Sequence, residues 1–103
     1  MSVRGPSIDD ICQPLDAGRA VILGLVITDA FWTPDASGIV ADFEPDTERG
    51  GHAVLAVGHG YNQVGTRIIL TRNSWGKQWG LNGYAWLTQH YLARQLYQTA
   101  LLT

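Results

Sequence analysis

Patterns that bind metals or form disulfides are scarce in this sequence. Its 103 residues include a single cysteine, Cys12, which excludes a disulfide within the chain. No Cys-x-x-Cys pair and no His-x-x-x-His spacing is present to hold zinc. We therefore expect neither a metal nor a cofactor, and the sequence gives no indication of the redox compartment.

Charge and long apolar runs are scarce as well. Charged residues make up 16% of the chain, against about 25% in a typical soluble domain, so we expect part of its apolar surface to be covered by something else. The seven basic residues are scattered, which argues against nucleic acid as a partner. The longest apolar run, residues 20–27, is far short of the roughly 20 residues of a membrane helix. The first ten residues do not resemble a signal peptide. No membrane partner is expected, and the default location is cytoplasmic.

The predicted order of elements is a helix followed by a mostly antiparallel sheet. Ser7 and Asp10 are typical of a helix start, and apolar residues at helical spacing predict a helix over 8–17, in which Pro14 favours a kink or an early end. The other predicted elements are strands at 20–27, 51–60, 66–73 and 83–87, a helical segment at 88–95 and a strand near 97–101. The continuous apolar run at 20–27 predicts a strand covered on both faces. We predict one α+β domain over residues 1–103: an antiparallel sheet or half-barrel with one N-terminal helix and a short C-terminal helix.

The segment from residue 28 to residue 49 is predicted to be a long, structured surface loop, and such loops are often functional. Three of its residues are aromatic, and they are either anchors of the loop or contacts for a substrate: Phe31, Trp32 and Phe43. Four acids at every second position favour a solvated edge: Asp42, Glu44, Asp46 and Glu48.

A histidine and an asparagine lie at neighbouring strand ends. His52 opens one predicted strand and Asn73 closes the next, and the linker at 61–65 suits an antiparallel hairpin, which brings these ends together. A thiol attacks as thiolate, so a cysteine hydrolase needs an imidazole to take its proton. An amide oxygen on the other ring nitrogen fixes the tautomer and orientation of that imidazole. His52 is therefore a candidate base, and Asn73 a candidate orienting residue.

The residues around this pair fit the interpretation. Gly51 leaves the approach to the histidine open. Trp75, between Ser74 and Gly76 in the loop after the second strand, is expected to cover the hydrogen bond of the pair and exclude water, which strengthens the bond. The two remaining histidines have no such companions and are expected to be structural or exposed: His59 and His90.

Four short motifs carry a family resemblance: HAVLAVGHG at 52–60, RNSWG at 72–76, WG at 79–80 and NGY at 82–84. Together they resemble the C-terminal half of papain-like (C1 family) cysteine peptidases, and the tail at 87–101 looks like bacterial members. The resemblance implies a fold like the right-hand domain of these enzymes. It also implies that His52 is the general base and acid, Asn73 its orienting residue and Trp75 its shield. Trp79 would line the leaving-group side of the substrate cleft.

Cys12 does not match the nucleophile of that family. The family's nucleophilic cysteine begins a long helix in an N-terminal half and follows an oxyanion-hole glutamine, and nothing in this chain matches that half. Cys12 lacks the Gly/Ser and Trp context of the family motif and occupies an apolar position of the predicted helix. We therefore expect a buried core thiol, the commoner state of a free cysteine.

Three hypotheses about function remain open. The chain is one part of a two-chain or split peptidase whose Cys-bearing partner supplies the thiol and the oxyanion hole. Alternatively, it is a non-catalytic papain-like module that binds a protein or peptide, or it is a piece of a longer peptidase. We expect it to associate with a Cys-bearing partner or with itself, and not to cleave peptides alone.

Overall fold

The computed structural model describes residues 6–43 and 46–102, which form an antiparallel sheet with short helices around it. The elements in chain order are α1 Asp9–Asp16, β1 Val21–Thr28, α2 Asp29–Trp32, β2 Glu48–Tyr61, β3 Arg67–Arg72, β4 Tyr84–Thr88, α3 Gln89–Gln95 and β5 Leu96–Leu101. The strands lie in the order β4-β3-β2-β1-β5, and each neighbouring pair is antiparallel. The predicted α+β class and antiparallel sheet are confirmed. No helix in the described ranges is long and apolar enough to cross a bilayer.

Helix α1 begins differently from the prediction. Its N-cap is Ile8 rather than Ser7, and no side chain caps it. Instead the Asp10 carboxylate turns back and accepts a hydrogen bond from the Ser7 N–H at 2.7 Å. Pro14 lies inside the helix without ending it. The helix ends before Gly18, whose φ of +79° is the left-handed conformation that favours glycine at this position.

The core lies between one face of the sheet and the helices. Its fully or nearly buried apolar side chains come from every layer: Ile11 and Cys12 of α1, Val21, Leu23 and Leu25 of β1, Val54 and Ala56 of β2, Ile69 of β3, Ala85 and Leu87 of β4, and Tyr91 and Leu92 of α3. Because side chains alternate along a strand, His52 is on the same face of β2 as Val54 and Ala56. The histidine thus lies at the end of the core face.

Strand β1 is covered on one face only, which corrects the prediction of burial on both. Val21, Leu23 and Leu25 are buried, whereas Ile22, Gly24 and Val26 between them are only half-buried. An apolar run of this length does not distinguish a doubly covered strand from one whose second face is apolar but open. The outer face of the sheet is therefore apolar at β1.

The loop after β1 contains a helical turn, α2, that the sequence did not predict. Four residues are too few to show helical periodicity. The turn is held by its neighbours: Asp29 N–H donates to the Thr47 carbonyl at 3.0 Å, and the Asp29 carboxylate takes two hydrogen bonds from Arg49, at 2.6 and 3.1 Å. These contacts attach α2 to the first residues of β2.

The acids of this loop do not form a simple solvated edge. Asp42 accepts a hydrogen bond from the Thr88 hydroxyl at 2.5 Å, and Asp46 accepts one from the Ala30 N–H at 3.2 Å. The loop folds back against α2 and α3, and this brings donors to the carboxylates. Glu44 lies outside the described residues.

Candidate active site

The hairpin of β2 and β3 brings His52 and Asn73 together. The two strands pair antiparallel, and Asn73 follows directly after β3. The His52 Nε2 and Asn73 Oδ1 atoms are 2.7 Å apart. The structure therefore joins the two side chains as predicted, while their catalytic role stays a prediction.

The contacts of Asn73 determine which ring nitrogen of His52 is free. Asn73 Oδ1 also accepts from the Ser74 N–H at 2.8 Å, and the Asn73 N–H donates to the Gly83 carbonyl at 2.9 Å. A carbonyl oxygen only accepts, so His52 Nε2 carries a proton. Nδ1 makes no hydrogen bond to a described residue and is not shut off from solvent. In the neutral ring, Nδ1 is then the atom able to take a proton.

Asn73 is held in this position although one of its polar atoms has no partner. The side chain is 7% exposed, and Nδ2 is buried without a hydrogen bond to any described residue. An unsatisfied buried donor costs about 1–3 kcal/mol. Such a cost in a side chain that orients a histidine is the kind of exception that functional sites show.

Aromatic rings surround the imidazole. The Trp75 ring lies against the His52 ring, with centroids 4.7 Å apart and planes at 31°. Trp32 stacks on Trp75, with centroids also 4.7 Å apart and planes at 9°. Phe31 meets His52 edge-on at 5.9 Å. Trp75 therefore lies against the imidazole with Trp32 stacked on it, while the exclusion of water from the His52–Asn73 hydrogen bond stays a prediction.

The structure separates the three aromatic residues of the loop that the sequence left undecided. Phe31 is fully buried and is an anchor. Trp32 and Phe43 are 50% and 58% exposed, but only Trp32 lies in the cluster around His52. Sequence alone gave no signal to distinguish them, because each is a large aromatic side chain in the same loop.

Trp79 lies deeper than the sequence suggested. It is 7% exposed, its indole Nε1 donates to the Phe31 carbonyl at 2.9 Å, and the rings of these residues are 5.0 Å apart. In this chain its contacts are those of a packing residue. The lining of a substrate cleft by Trp79 stays a prediction. Only the small exposed part of this side chain could contact a substrate.

The predicted glycines have distinct roles. A Cβ on Gly51 would lie 3.2 Å from the Tyr97 hydroxyl, so Tyr97 packs against this glycine, while an open approach to His52 stays a prediction. No sequence pattern indicated Tyr97, which approaches Gly51 from β5, far along the chain. Gly76 has φ +92° and allows the turn after Trp75. Ser74 contributes its backbone N–H.

Cys12 is far from this cluster. It is buried in α1, and Asp16 of the same helix bonds His59 Nε2 at 2.7 Å. His59 lies seven residues beyond His52 on β2, a separation of roughly 20 Å in a strand. Burial raises the pKa of the Cys12 thiol, and the nearby Arg67 guanidinium opposes this only in part. The geometry agrees with a core thiol.

The other two histidines lie apart from the cluster. His59 is bonded to Asp16, and His90 is exposed. Within residues 6–43 and 46–102, no group of three His, Cys, Asp or Glu side chains is arranged to hold a metal ion.

We expect Cys12 to react more slowly with iodoacetamide near neutral pH than the same thiol in the unfolded chain, because the folded chain buries it and its raised pKa leaves less of it as the reactive thiolate. The burial that raises this pKa stabilises the folded chain below the ordinary thiol pKa, and this stability is lost as pH rises through the raised value. Mass spectrometry of the alkylated chain over a pH series measures the rate, with the urea-unfolded chain as reference. Rapid alkylation that His52→Ala abolishes would make Cys12 the nucleophile.

The fold and the bonded pair together define a class. A histidine whose ring is oriented by an asparagine amide oxygen is the arrangement of thiol hydrolases of the Cys-His-Asn type. Residues 9–100 match the sequence profile described as papain family cysteine protease. The chain belongs to this family.

Known proteins resemble the chain over most of its length. It is 37% identical over 89 residues to an uncharacterized peptidase C1-like protein of Acanthamoeba polyphaga mimivirus, covering 84% of this chain and 28% of the viral protein. It is 44% identical over 62 residues to cathepsin K of Gallus gallus, covering 60% of this chain and 17% of the cathepsin.

Two solved structures share the fold. Xylellain, a cysteine protease from Xylella fastidiosa, superposes with a TM-score of 0.71 at 29% identity, over 94% of this chain and 37% of that one. Bromelain protease from Ananas comosus, solved with the E64 inhibitor, gives 0.61 at 18% identity, over 84% of this chain and 38% of that one, a likeness in fold alone. The chain thus spans less than two-fifths of each of these four relatives.

Proposed function

We propose that this chain is the His- and Asn-bearing C-terminal half, of bacterial type, of a papain-like cysteine peptidase. Its nucleophilic cysteine and oxyanion hole would come from polypeptide outside these 103 residues, either a partner chain or the N-terminal half of the same protein. The observation that carries the proposal is the 2.7 Å contact between His52 Nε2 and Asn73 Oδ1, in a chain whose only cysteine is buried elsewhere.

The proposed reaction is peptide-bond hydrolysis. His52 Nδ1 takes the proton of the incoming thiol, the thiolate attacks the peptide carbonyl carbon, and the imidazolium returns the proton to the leaving amine. A water molecule then attacks the carbonyl carbon of the acyl-enzyme, and the same imidazole takes its proton. The carboxylic acid is released, and the proton returns to the departing sulfur, which restores the thiol. Asn73 keeps the imidazole in one orientation without a second buried charge, and Trp75 limits the access of water to the bond between them.

The outer face of the sheet supports a partner. Next to Asn73 lies a shallow cavity of about 410 Å³, with an apolar side formed by Ile22, Ala53 and Leu55 and a polar edge that includes Arg72. Open apolar surface next to an incomplete site is typical of an interface. We therefore propose that the Cys-bearing polypeptide docks over this face and extends past Asn73 to the end of the core face, where its thiol would meet His52 Nδ1.

The test is association of this chain with a Cys-bearing N-terminal papain-like half, measured by native mass spectrometry at micromolar concentration. We expect a one-to-one complex with the wild-type chain and at least about tenfold weaker binding for Ala53→Glu, because an unpaired carboxylate would be desolvated in the interface. Ala53 is exposed, so the variant should fold normally.

The matched control is Arg19→Glu, an exposed charge change in the turn between α1 and β1, which should not weaken the complex. Equal binding by Ala53→Glu would remove this face as the docking site. A chain that stays a monomer with every Cys-bearing half tried would contradict the split peptidase. A complex that forms and never cleaves peptides would instead support the non-catalytic papain-like module.

A further inference from the structure

Trp32 is half exposed yet stacks almost parallel on Trp75. Its side chain is 50% exposed, and the two ring planes differ by 9° at a centroid distance of 4.7 Å. An indole with half of its surface in water adds little to the core, in contrast to its neighbour Phe31, which is fully buried. Any role of Trp32 beyond the core therefore depends on its contact with Trp75, the ring that it covers.

Trp75 is held from several sides. His52 lies against it at 4.7 Å, and Phe31 and Trp79 meet it edge-on at 5.4 and 5.9 Å. These three rings restrain Trp75 from within the protein. Trp32 stacks on it as the most exposed member of the cluster, so without Trp32 the Trp75 ring is less restrained.

The backbone keeps Trp32 in register with the strand of His52. Trp32 ends α2, whose first residue, Asp29, is bound to Arg49 by a two-pronged ion pair and to the Thr47 carbonyl. Arg49 lies on β2 three residues before His52. The element that carries the outer indole is thus attached to the strand that carries the imidazole.

We propose that Trp32 is a positioning residue for His52, acting through Trp75. By stacking on Trp75 it keeps that ring against the imidazole and keeps water away from the His52–Asn73 hydrogen bond. A dry hydrogen bond is stronger and more directional than a hydrated one. The inference rests on the proposed function only for the statement that His52 is the catalytic base. The effect on the hydrogen bond exists without catalysis.

The test uses the 103-residue chain labelled with ¹⁵N-histidine. Nuclear magnetic resonance measures how fast the His52 Nε2 proton exchanges with water and which tautomer the ring adopts. In Trp32→Ala we expect exchange to be roughly 2- to 12-fold faster, the range that the loss of one aromatic pair gives. Trp32→Phe retains a ring to stack and should restore a rate near that of the wild type.

Two controls separate positioning from general loosening. His59 lies on a distant part of β2, and its Nε2 is bonded to Asp16 of α1. Its signal reports on the rest of the sheet in the same sample. Phe43→Ala removes an equally exposed aromatic ring from the same loop. An unchanged His52 signal in Trp32→Ala would overturn the proposal, and so would an equal change at His59.

The same measurements separate this inference from the proposed function. If Trp32→Ala speeds exchange at His52 alone but no complex with a Cys-bearing half cleaves peptides, the split peptidase fails and the positioning role stands. If cleavage is observed and Trp32→Ala changes neither exchange nor the pH profile of cleavage, the positioning role fails and the peptidase stands.

Discussion

In the proposed complex with a Cys-bearing polypeptide, His52→Ala is expected to lower the rate of peptide cleavage by about three to six orders of magnitude. Without the imidazole the thiol stays largely protonated near neutral pH, and the leaving amine receives no proton. What remains comes from substrate binding and the oxyanion hole alone. Initial rates with a fluorogenic peptide measure the loss, and native mass spectrometry shows whether the variant still forms the complex.

The matched control is His90→Ala. His90 is exposed, and its backbone carbonyl accepts a hydrogen bond from the Arg94 side chain at 3.3 Å. We expect its removal to leave the rate within about twofold, as for a surface substitution away from the site. A His52→Ala complex that retains more than a tenth of the wild-type rate would show that His52 is not the base.

The bonded pair could be predicted from sequence because its geometry is local. Two strands joined by a short linker form an antiparallel hairpin, so the first residue of one strand and the last of the next must meet. In the structure β2 begins earlier, at Glu48, and Asn73 lies directly after β3, but the register that pairs Leu55 with Arg72 still brings His52 and Asn73 within 2.7 Å. The Asn-Ser-Trp-Gly sequence then predicts that Trp75 covers the pair, because Trp75 lies in the turn directly after Asn73.

The rest of the site depends on contacts between residues distant in sequence. Trp32 reaches the Trp75 ring from a loop, and Tyr97 reaches Gly51 from the last strand, and no periodicity or spacing predicts where such side chains lie. The open outer face of β1 escaped prediction for a similar reason, since its apolar run is the same whether or not a partner covers it. Local pattern fixes the hairpin, whereas tertiary packing fixes what surrounds it.

Phe31→Ala is expected to cost about 3–5 kcal/mol of the free energy of unfolding, as for a fully buried phenylalanine truncated in a core. The ring is inaccessible to solvent and lies 5.0, 5.4 and 5.9 Å from the rings of Trp79, Trp75 and His52. A domain of this size has about 5–15 kcal/mol in total, so the variant should lose a large part of its stability. Urea unfolding followed by tryptophan fluorescence measures the change.

Two substitutions control for ring volume and for position in the loop. Phe31→Leu keeps an apolar side chain and should cost less than about 2 kcal/mol, whereas Phe43→Ala, at an exposed position, should change stability by less than about 0.5 kcal/mol. A loss below about 1 kcal/mol in Phe31→Ala would mean that α2 does not pack as described.

The expected loss has a second consequence. The Phe31 ring packs against His52, Trp75 and Trp79. A cavity at Phe31 therefore removes support from the imidazole as well as from the core. Phe31→Ala should therefore disturb the His52 resonances in urea-free solution more than those of His59. Phe31 would then contribute both to the stability of this core and, together with Asn73, to the orientation of the proposed base.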